Sequence, residues 1–382
     1  RGGEAKLLTP GDFDVEDVTL SADQTSVIYS SNQDDTDRRH LWSVPVAGGL
    51  PPQALTQGET IEWSPVQTGD AKGTLCLGSS ATSPAMPYVV SGKIREMISA
   101  VPGDFPFTSL VNPKQVIFRS DDGVTLHGQL FLPSGMKGKS PALVFLHGGP
   151  IRQMMLGFHY MNYYHNAYAE NQYLASRGYV VLALNYRLGI MCGRGFREAP
   201  NSVWRGAAEY KDVLAAGRFL QSLPEVDRDR IGLWGGSYGG FLTAMGLAKN
   251  SELFKAGVDF HGVHDWSVFL TELPFFGNLS PRPPDAEAAV KLAWNSSPDS
   301  YVETWRSPVL LIHGDDDRNV PFSQTVDLVQ RLRKQHVPFE QMILPDEIHA
   351  FLRWKDWIRV YTATIEFFDR ALKRGEQIGA NN

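Results

Sequence analysis

Cysteine is nearly absent: among 382 residues only Cys76 and Cys192 carry thiols. That excludes a disulfide framework and a CxxC metal or redox pair, and leaves two buried thiols as the expectation. Long apolar runs are missing as well. The longest, such as Ala142–Leu146 and Val309–Ile312, fall far short of the roughly 18 residues of a membrane span. No membrane contact is therefore expected, and the chain reads as soluble, in the cytoplasm or, after processing, periplasmic or secreted. Basic runs are equally scarce. Thirty-six Lys and Arg against 42 Asp and Glu give a net charge of −6, and no Lys/Arg tract reaches about five residues, so nucleic acid is not an expected partner. There is no HExxH, no GxGxxG following a strand and no GxxxxGK[ST], so neither a metal nor a nucleotide or other cofactor is expected. The chain opens on Arg1 rather than Met, with no charged-then-apolar leader, and reads as a mature or truncated product.

What is present is an ordinary globular composition, 42% hydrophobic and 20% charged, long enough for two or three domains. From Gly11 to about Val90 short β-rich runs alternate with turn residues (Asp14–Leu20, Ser26–Ser30, His40–Val46, Thr74–Gly78), a β meander without helical periodicity. Leu20-Ser21-Ala22-Asp23 followed by Val27-Ile28-Tyr29, and Trp63-Ser64-Pro65 followed by Leu75-Cys76-Leu77, read as one unit recurring after about 42 residues, a period that fits propeller blades. A closed propeller has typically four to eight blades and there is room here for about two, so the propeller is incomplete or the segment is a small β extension. After Asp121-Asp122-Gly123 the texture changes. Strand-like runs (Ala142–Leu146, Val180–Leu184, Ile231–Trp234, Gly257–Phe260, Val309–Ile312, Glu340–Ile343) alternate with helical stretches (Tyr168–Arg177, Ala207–Leu223, Phe241–Lys249, Gln324–Gln335, Trp357–Lys373). Strand then helix, repeated, predicts an α/β domain with a largely parallel sheet.

The clearest chemical signal is Gly235-Gly236-Ser237-Tyr238-Gly239-Gly240, a G-x-S-x-G with a strand before it and a helix after it. That context makes a nucleophile elbow: the turn is strained and closely packed, so Gly235 and Gly239 have no room for side chains and Ser237 is held up and exposed. Starting the helix at once aims the Tyr238 backbone N–H and the positive helix end at a developing oxyanion. His147-Gly148-Gly149-Pro150, after the strand Ala142–Leu146, stands where this architecture supplies a second oxyanion N–H, its glycines letting the backbone approach substrate.

A serine near neutral pH needs a base, and this fold places an acid and then a His after the Ser. Five histidines follow Ser237. His336 reads as a solvated helix C-cap, His313 as a loop-bracing hydrogen bonder, and His261 and His264 as pocket lining or structural; His349 is left as the base. The acid lies in His313-Gly314-Asp315-Asp316-Asp317, where spacing does not rank the three aspartates.

These residues resemble the prolyl oligopeptidase family of serine peptidases, particularly its acylaminoacyl-peptidase and dipeptidyl-peptidase-like members. The likeness runs from about Val111 to Leu372 through HGGP at 147–150, Asn185-Tyr186-Arg187, GGSYGG at 235–240, HGxxDxxVP at 313–321 and DExH at 346–349. It implies an α/β-hydrolase fold preceded by a partial β-propeller, with residues 1–110 as blades, 111–375 as the catalytic domain and 376–382 as a tail. It further implies Ser237 as nucleophile, His349 as base and Asp317 as acid. Oxyanion donors fall at Tyr238 and in the Gly148-Gly149 backbone, and Asn319 contacts a substrate carbonyl. Val320 and the segment His261 to Trp266 border the pocket of the residue being cut. Two departures stand out: Leu188-Gly189-Ile190-Met191 makes the surface after NYR more apolar, and most of the family's propeller is missing. The expected activity is hydrolysis of short peptides through an acyl-enzyme. A carboxylesterase on the same machinery, or a catalytically silent binding domain, is the alternative, and unpaired blade faces imply that residues 11–90 either pack on a second copy, as a homo-oligomer, or are mobile.

Overall fold

The computed structural model describes residues 3–92, 94–190, 192–272 and 284–379; of the expected tail, residues 380–382 lie outside them. It divides into two compact units. One comprises residues 1–115, 153–173 and 190–197, the other 116–152, 174–189 and 198–382.

The first unit holds two four-stranded antiparallel sheets, each laid down in chain order. They are β1 (Val15–Leu20), β2 (Ser26–Ser31), β3 (His40–Pro45) and β4 (Gln53–Ala54), then β5 (Thr60–Gln67), β6 (Thr74–Ser80), β7 (Met86–Ser91) and β8 (Ile94–Met97). Along β6 burial alternates, with Thr74 and Cys76 inside and Leu75 and Leu77 outside, the period of a sheet with one packed face. Leu41 of the first sheet packs with Cys76, Met86, Tyr88 and Val90 of the second. Arg39, fully buried, is held by Glu16 at 3.0 Å and by the Gln153 side chain at 2.9 Å, as a buried guanidinium must be. Cys192 corrects the expectation of two buried thiols. It is exposed, because it lies on the surface turn leading into the short helix Gly193–Arg197.

The second unit is built on an eight-stranded sheet, in spatial order β16-β15-β14-β13-β11-β12-β10-β9. Its strands are β9 (Lys114–Arg119), β10 (Thr125–Phe131), β11 (Ser140–Leu146), β12 (Val180–Asn185), β13 (Val226–Gly236), β14 (Phe254–Phe260), β15 (Val309–Gly314) and β16 (Phe339–Leu344). From β11 to β16 every pairing is parallel, while β10 runs antiparallel to β12. Strands β12 and β15 are buried at every position, as expected where helices cover both faces of a parallel sheet. This is the architecture of an α/β-hydrolase domain.

Two features of this sheet position the site. Its registers bring strand ends level: Leu146 lies opposite Gly235, Gly236 opposite Phe260, and Gly314 opposite Leu344, so the loops after β11, β13, β14, β15 and β16 leave one edge together. The chain also reverses its winding between β11 and β13, and ligand crevices form outside the carboxyl ends of strands at such a switch point. At that point the backbones touch. A Cβ at Gly239 would lie 1.9 Å from the Leu146 carbonyl oxygen, and one at Gly235 would lie 2.3 Å from the same atom. Neither neighbour is a side chain that can rotate away. Gly239→Ala is therefore expected to cost more than the roughly 1–3 kcal/mol of ordinary overpacking. Gly69→Ala, with nothing within 4 Å of the added carbon, should stay within about 0.5 kcal/mol; urea unfolding of both variants checks the contrast.

Candidate active site

Ser237 occupies the one-residue turn between β13 and the helix Tyr238–Lys249, at φ 60° and ψ −118°. Such a conformation costs a residue other than glycine about 1–3 kcal/mol and persists only where the surroundings hold it. Here the Ser237 N–H donates to Phe260 O at 2.8 Å and its carbonyl accepts from Phe241 N at 2.9 Å. From Ile231 to Gly240 every residue is buried except Ser237. Its hydroxyl does not cap the helix.

His349 lies in the loop between β16 and the helix Trp354–Phe368. Its Nδ1 is 2.6 Å from Asp317 Oδ2, and 17% of its side chain is exposed. Asp317, on the loop after β15, has a fully buried side chain. Its Oδ1 accepts the Asn319 and Val320 N–H groups at 2.8 and 3.0 Å, and Oδ2 also lies 3.3 Å from His313 Nε2. Burial alone would raise this carboxyl; the hydrogen bonds to His313 and His349 outweigh it and hold the group well below the usual carboxylate range, so it is an anion. Burial separates the three aspartates, since Asp315 and Asp316 are exposed. Asp315 accepts the Asp346 N–H at 2.8 Å and thereby ties this loop to that of His349, while Asp316 pairs with Arg318.

Among the other histidines after Ser237, His313 and His264 have other partners. His313, buried, places Nδ1 2.7 Å from Thr325 Oγ1 and Nε2 3.0 Å from Val320 O. His264 sets Nε2 2.7 Å from Asp259 and Nδ1 3.1 Å from Gln324 O. His336 is exposed just past the helix Ser323–Lys334. His261, read from the sequence as pocket lining or structural and not as the base, lies against His349. It follows Phe260, the acceptor of the Ser237 N–H, and its ring lies 4.2 Å from that of His349, centroid to centroid. Only the level ends of β14 and β16 bring it there, and no local motif marks it.

Two backbone segments flank Ser237. Tyr238 opens the elbow helix, where N–H groups of the first turn lack intrahelical acceptors. Its ring is fixed by the hydroxyl, which donates to Glu209 Oε1 at 2.5 Å; both Glu209 oxygens lie 3.2 Å from Val203 N. Glu209 is fully buried and carries no sequence signature. Gly148 and Gly149 follow β11, Gly149 at φ 82°, where a side chain would be strained. The loop is braced by Tyr186, whose hydroxyl donates to His147 O at 2.6 Å and whose ring stacks on that of His147 at 4.3 Å. Burial lowers the His147 pKa to about 4, so this imidazole carries no charge at neutral pH.

Of the residues expected at substrate, Asn319 is exposed beside Asp317 and Val320 is buried, spanning Asp317 and His313 with its N–H and C=O. Trp266 opens the helix Trp266–Glu272, with its ring 6.0 Å from Tyr238, 5.5 Å from Phe241 and 5.4 Å from Phe269. It forms an aromatic wall behind the elbow.

A model of the prolyl oligopeptidase family matches residues 165–375. The chain is 29% identical over 332 residues to dipeptidyl aminopeptidase BIII of Pseudoxanthomonas mexicana, across 82% of this chain and 47% of that protein. Among solved structures, acylaminoacyl peptidase of Pyrococcus horikoshii superposes with a TM-score of 0.77 at 24% identity, covering 95% of this chain and 56% of that one. A puromycin hydrolase superposes with a TM-score of 0.82 at 18% identity, covering 99% and 57%. The chain thus spans about half the length of these relatives.

The burial contrast between the aspartates generates a test. Asp317→Asn is expected to lower kcat by about 10⁴, the loss seen when a serine hydrolase acid no longer sets the imidazole tautomer. Asp315→Asn and Asp316→Asn should each change it less than about tenfold; steady-state kinetics of the three variants measures the difference.

Proposed function

The chain belongs to the prolyl oligopeptidase family, and from that premise we propose that it is a serine hydrolase cleaving peptide bonds of short peptides, in the manner of acylaminoacyl or dipeptidyl peptidases. The observation that carries this reading is the buried Asp317 carboxylate bonded to His349 Nδ1 at 2.6 Å. It stands on the sheet edge that also bears the strained Ser237 turn.

The reaction follows from these groups. His349 Nε2 takes the Ser237 proton as Oγ attacks the scissile carbonyl carbon, while Asp317 keeps the proton on Nδ1 and offsets the imidazolium charge. The oxyanion accepts hydrogen bonds from the Tyr238 N–H and the Gly148-Gly149 backbone, fixed donors that need no reorganisation as charge develops. His349 then protonates the leaving amine, and water attacks the acyl-enzyme by the same route in reverse. Asn319 hydrogen-bonds a substrate carbonyl next to the scissile residue, and Val320 and Trp266 border its side chain. The peptide substrate class is supported by the names of the relatives, a dipeptidyl aminopeptidase and an acylaminoacyl peptidase.

The two sheets β1–β4 and β5–β8 are read as two propeller blades. What supports this is their sequential antiparallel order and their recurrence at about 45 residues, from Val15 to Thr60. Val66, Leu75 and Leu77, left exposed on the second of them, support association of blade faces with a second copy.

The test is turnover of peptidyl p-nitroanilides beside p-nitrophenyl acyl esters. Amide cleavage is expected, falling by about 10⁴ or more in Ser237→Ala. Ester turnover with no amide cleavage would assign a carboxylesterase, and unchanged amide cleavage by Ser237→Ala would remove Ser237 from the reaction.

A further inference from the structure

His261, Asp317 and His349 converge from the loops after β14, β15 and β16. One ligand atom from each, a ring nitrogen from either imidazole and a carboxylate oxygen, lies within 4.8 Å of the other two. Tetrahedral zinc, at roughly 2.0–2.2 Å from nitrogen and oxygen ligands, sets its ligand atoms about 3.3 Å apart, so closure needs shifts of about an ångström. His349, partly exposed on its loop, is the member with room to supply them.

From this cluster we propose that a divalent cation of the zinc class binds across His261, Asp317 and His349 and switches the hydrolase off. Two imidazoles and one carboxylate are the donor set of such a metal, whereas magnesium and calcium take oxygen. A fourth position is left for water, as in open zinc sites with three protein ligands.

Coordination and catalysis compete for the same atoms. A cation that takes the Asp317 carboxylate and a His349 ring nitrogen replaces the 2.6 Å hydrogen bond between them. The base then loses the tautomer and the free nitrogen that proton transfer from Ser237 needs. The inhibitory half of this inference rests on the reading of His349 as the base, whereas the binding half does not. Sequence motifs miss the cluster because its ligands are 56 and 32 residues apart, from 261 to 317 and from 317 to 349, rather than at the i, i+4 spacing of a zinc helix.

The test uses chelator-stripped protein and zinc ion itself. Calorimetry is expected to give one Zn²⁺ per chain for the wild type and for Ser237→Ala, with affinity at least about tenfold weaker in His261→Ala and His261→Gln. Amide hydrolysis, each variant scaled to its own metal-free rate, should require correspondingly more zinc for inhibition in both His261 variants, and Mg²⁺ should not inhibit. Cobalt(II) added to the unmutated protein should show the visible absorption of a tetrahedral site, a readout that needs no variant to fold. Equal zinc affinity with and without His261, or no binding by the wild type, would overturn the proposal. Zinc binding as described by a protein that hydrolyses nothing when metal-free would support the site and refute the reading of Ser237 instead.

Discussion

The carbonyl oxygen of Leu146 occupies the space that a side chain at position 239 or 235 would need. The rest of the site depends on that contact. The end of β11 and the start of the elbow helix meet backbone to backbone. The parallel pairing of Leu146 with Gly235 sets the level of the approach, and the absence of Cβ atoms sets its closeness. Any residue larger than glycine would have to move a strand of the central sheet, and packed cores resist such movement.

Against this rigid frame the charge at Asp317 is matched. A buried carboxylate without partners would take up a proton. Asp317 avoids this with two backbone N–H donors on one oxygen and two imidazoles near the other. The neighbouring imidazoles at 147 and 261 are kept neutral by burial, so they do not compete with His349 as cations. The arrangement concentrates one negative charge behind one partly exposed imidazole.

Much of this was legible in the chain. The alternation of apolar runs and helical stretches prescribed the parallel sheet, because strands buried on both faces read as continuous Val, Leu and Ile. The strand before Ser237 and the helix after it are visible in Ile231–Trp234 and Phe241–Lys249; the helix starts within a turn of the expected bound, while the strand begins five residues earlier, at Val226. Contacts made across the fold were not. Spacing alone did not order Asp315, Asp316 and Asp317, since burial depends on how the loop folds back on His313 and Val320. The packing of His261 on His349 and of Glu209 on Tyr238 joins residues far apart in the chain. The helix beginning at Asn162 starts a turn and a half ahead of the expected Tyr168, its first turns being rich in Tyr, His and Asn, which mask an apolar stripe. Cys192 misled for a simpler reason: thiols are usually buried, and this one sits on a surface turn.

The central claim is that Ser237 is the one activated nucleophile of this chain. Its most direct test is mass-spectrometric mapping of the site modified by a fluorophosphonate, which reacts with serines activated by a neighbouring base. A single adduct on the peptide carrying Ser237, formed only while the protein is folded, is the result predicted here. An adduct on another serine, or none on the folded protein, would contradict it.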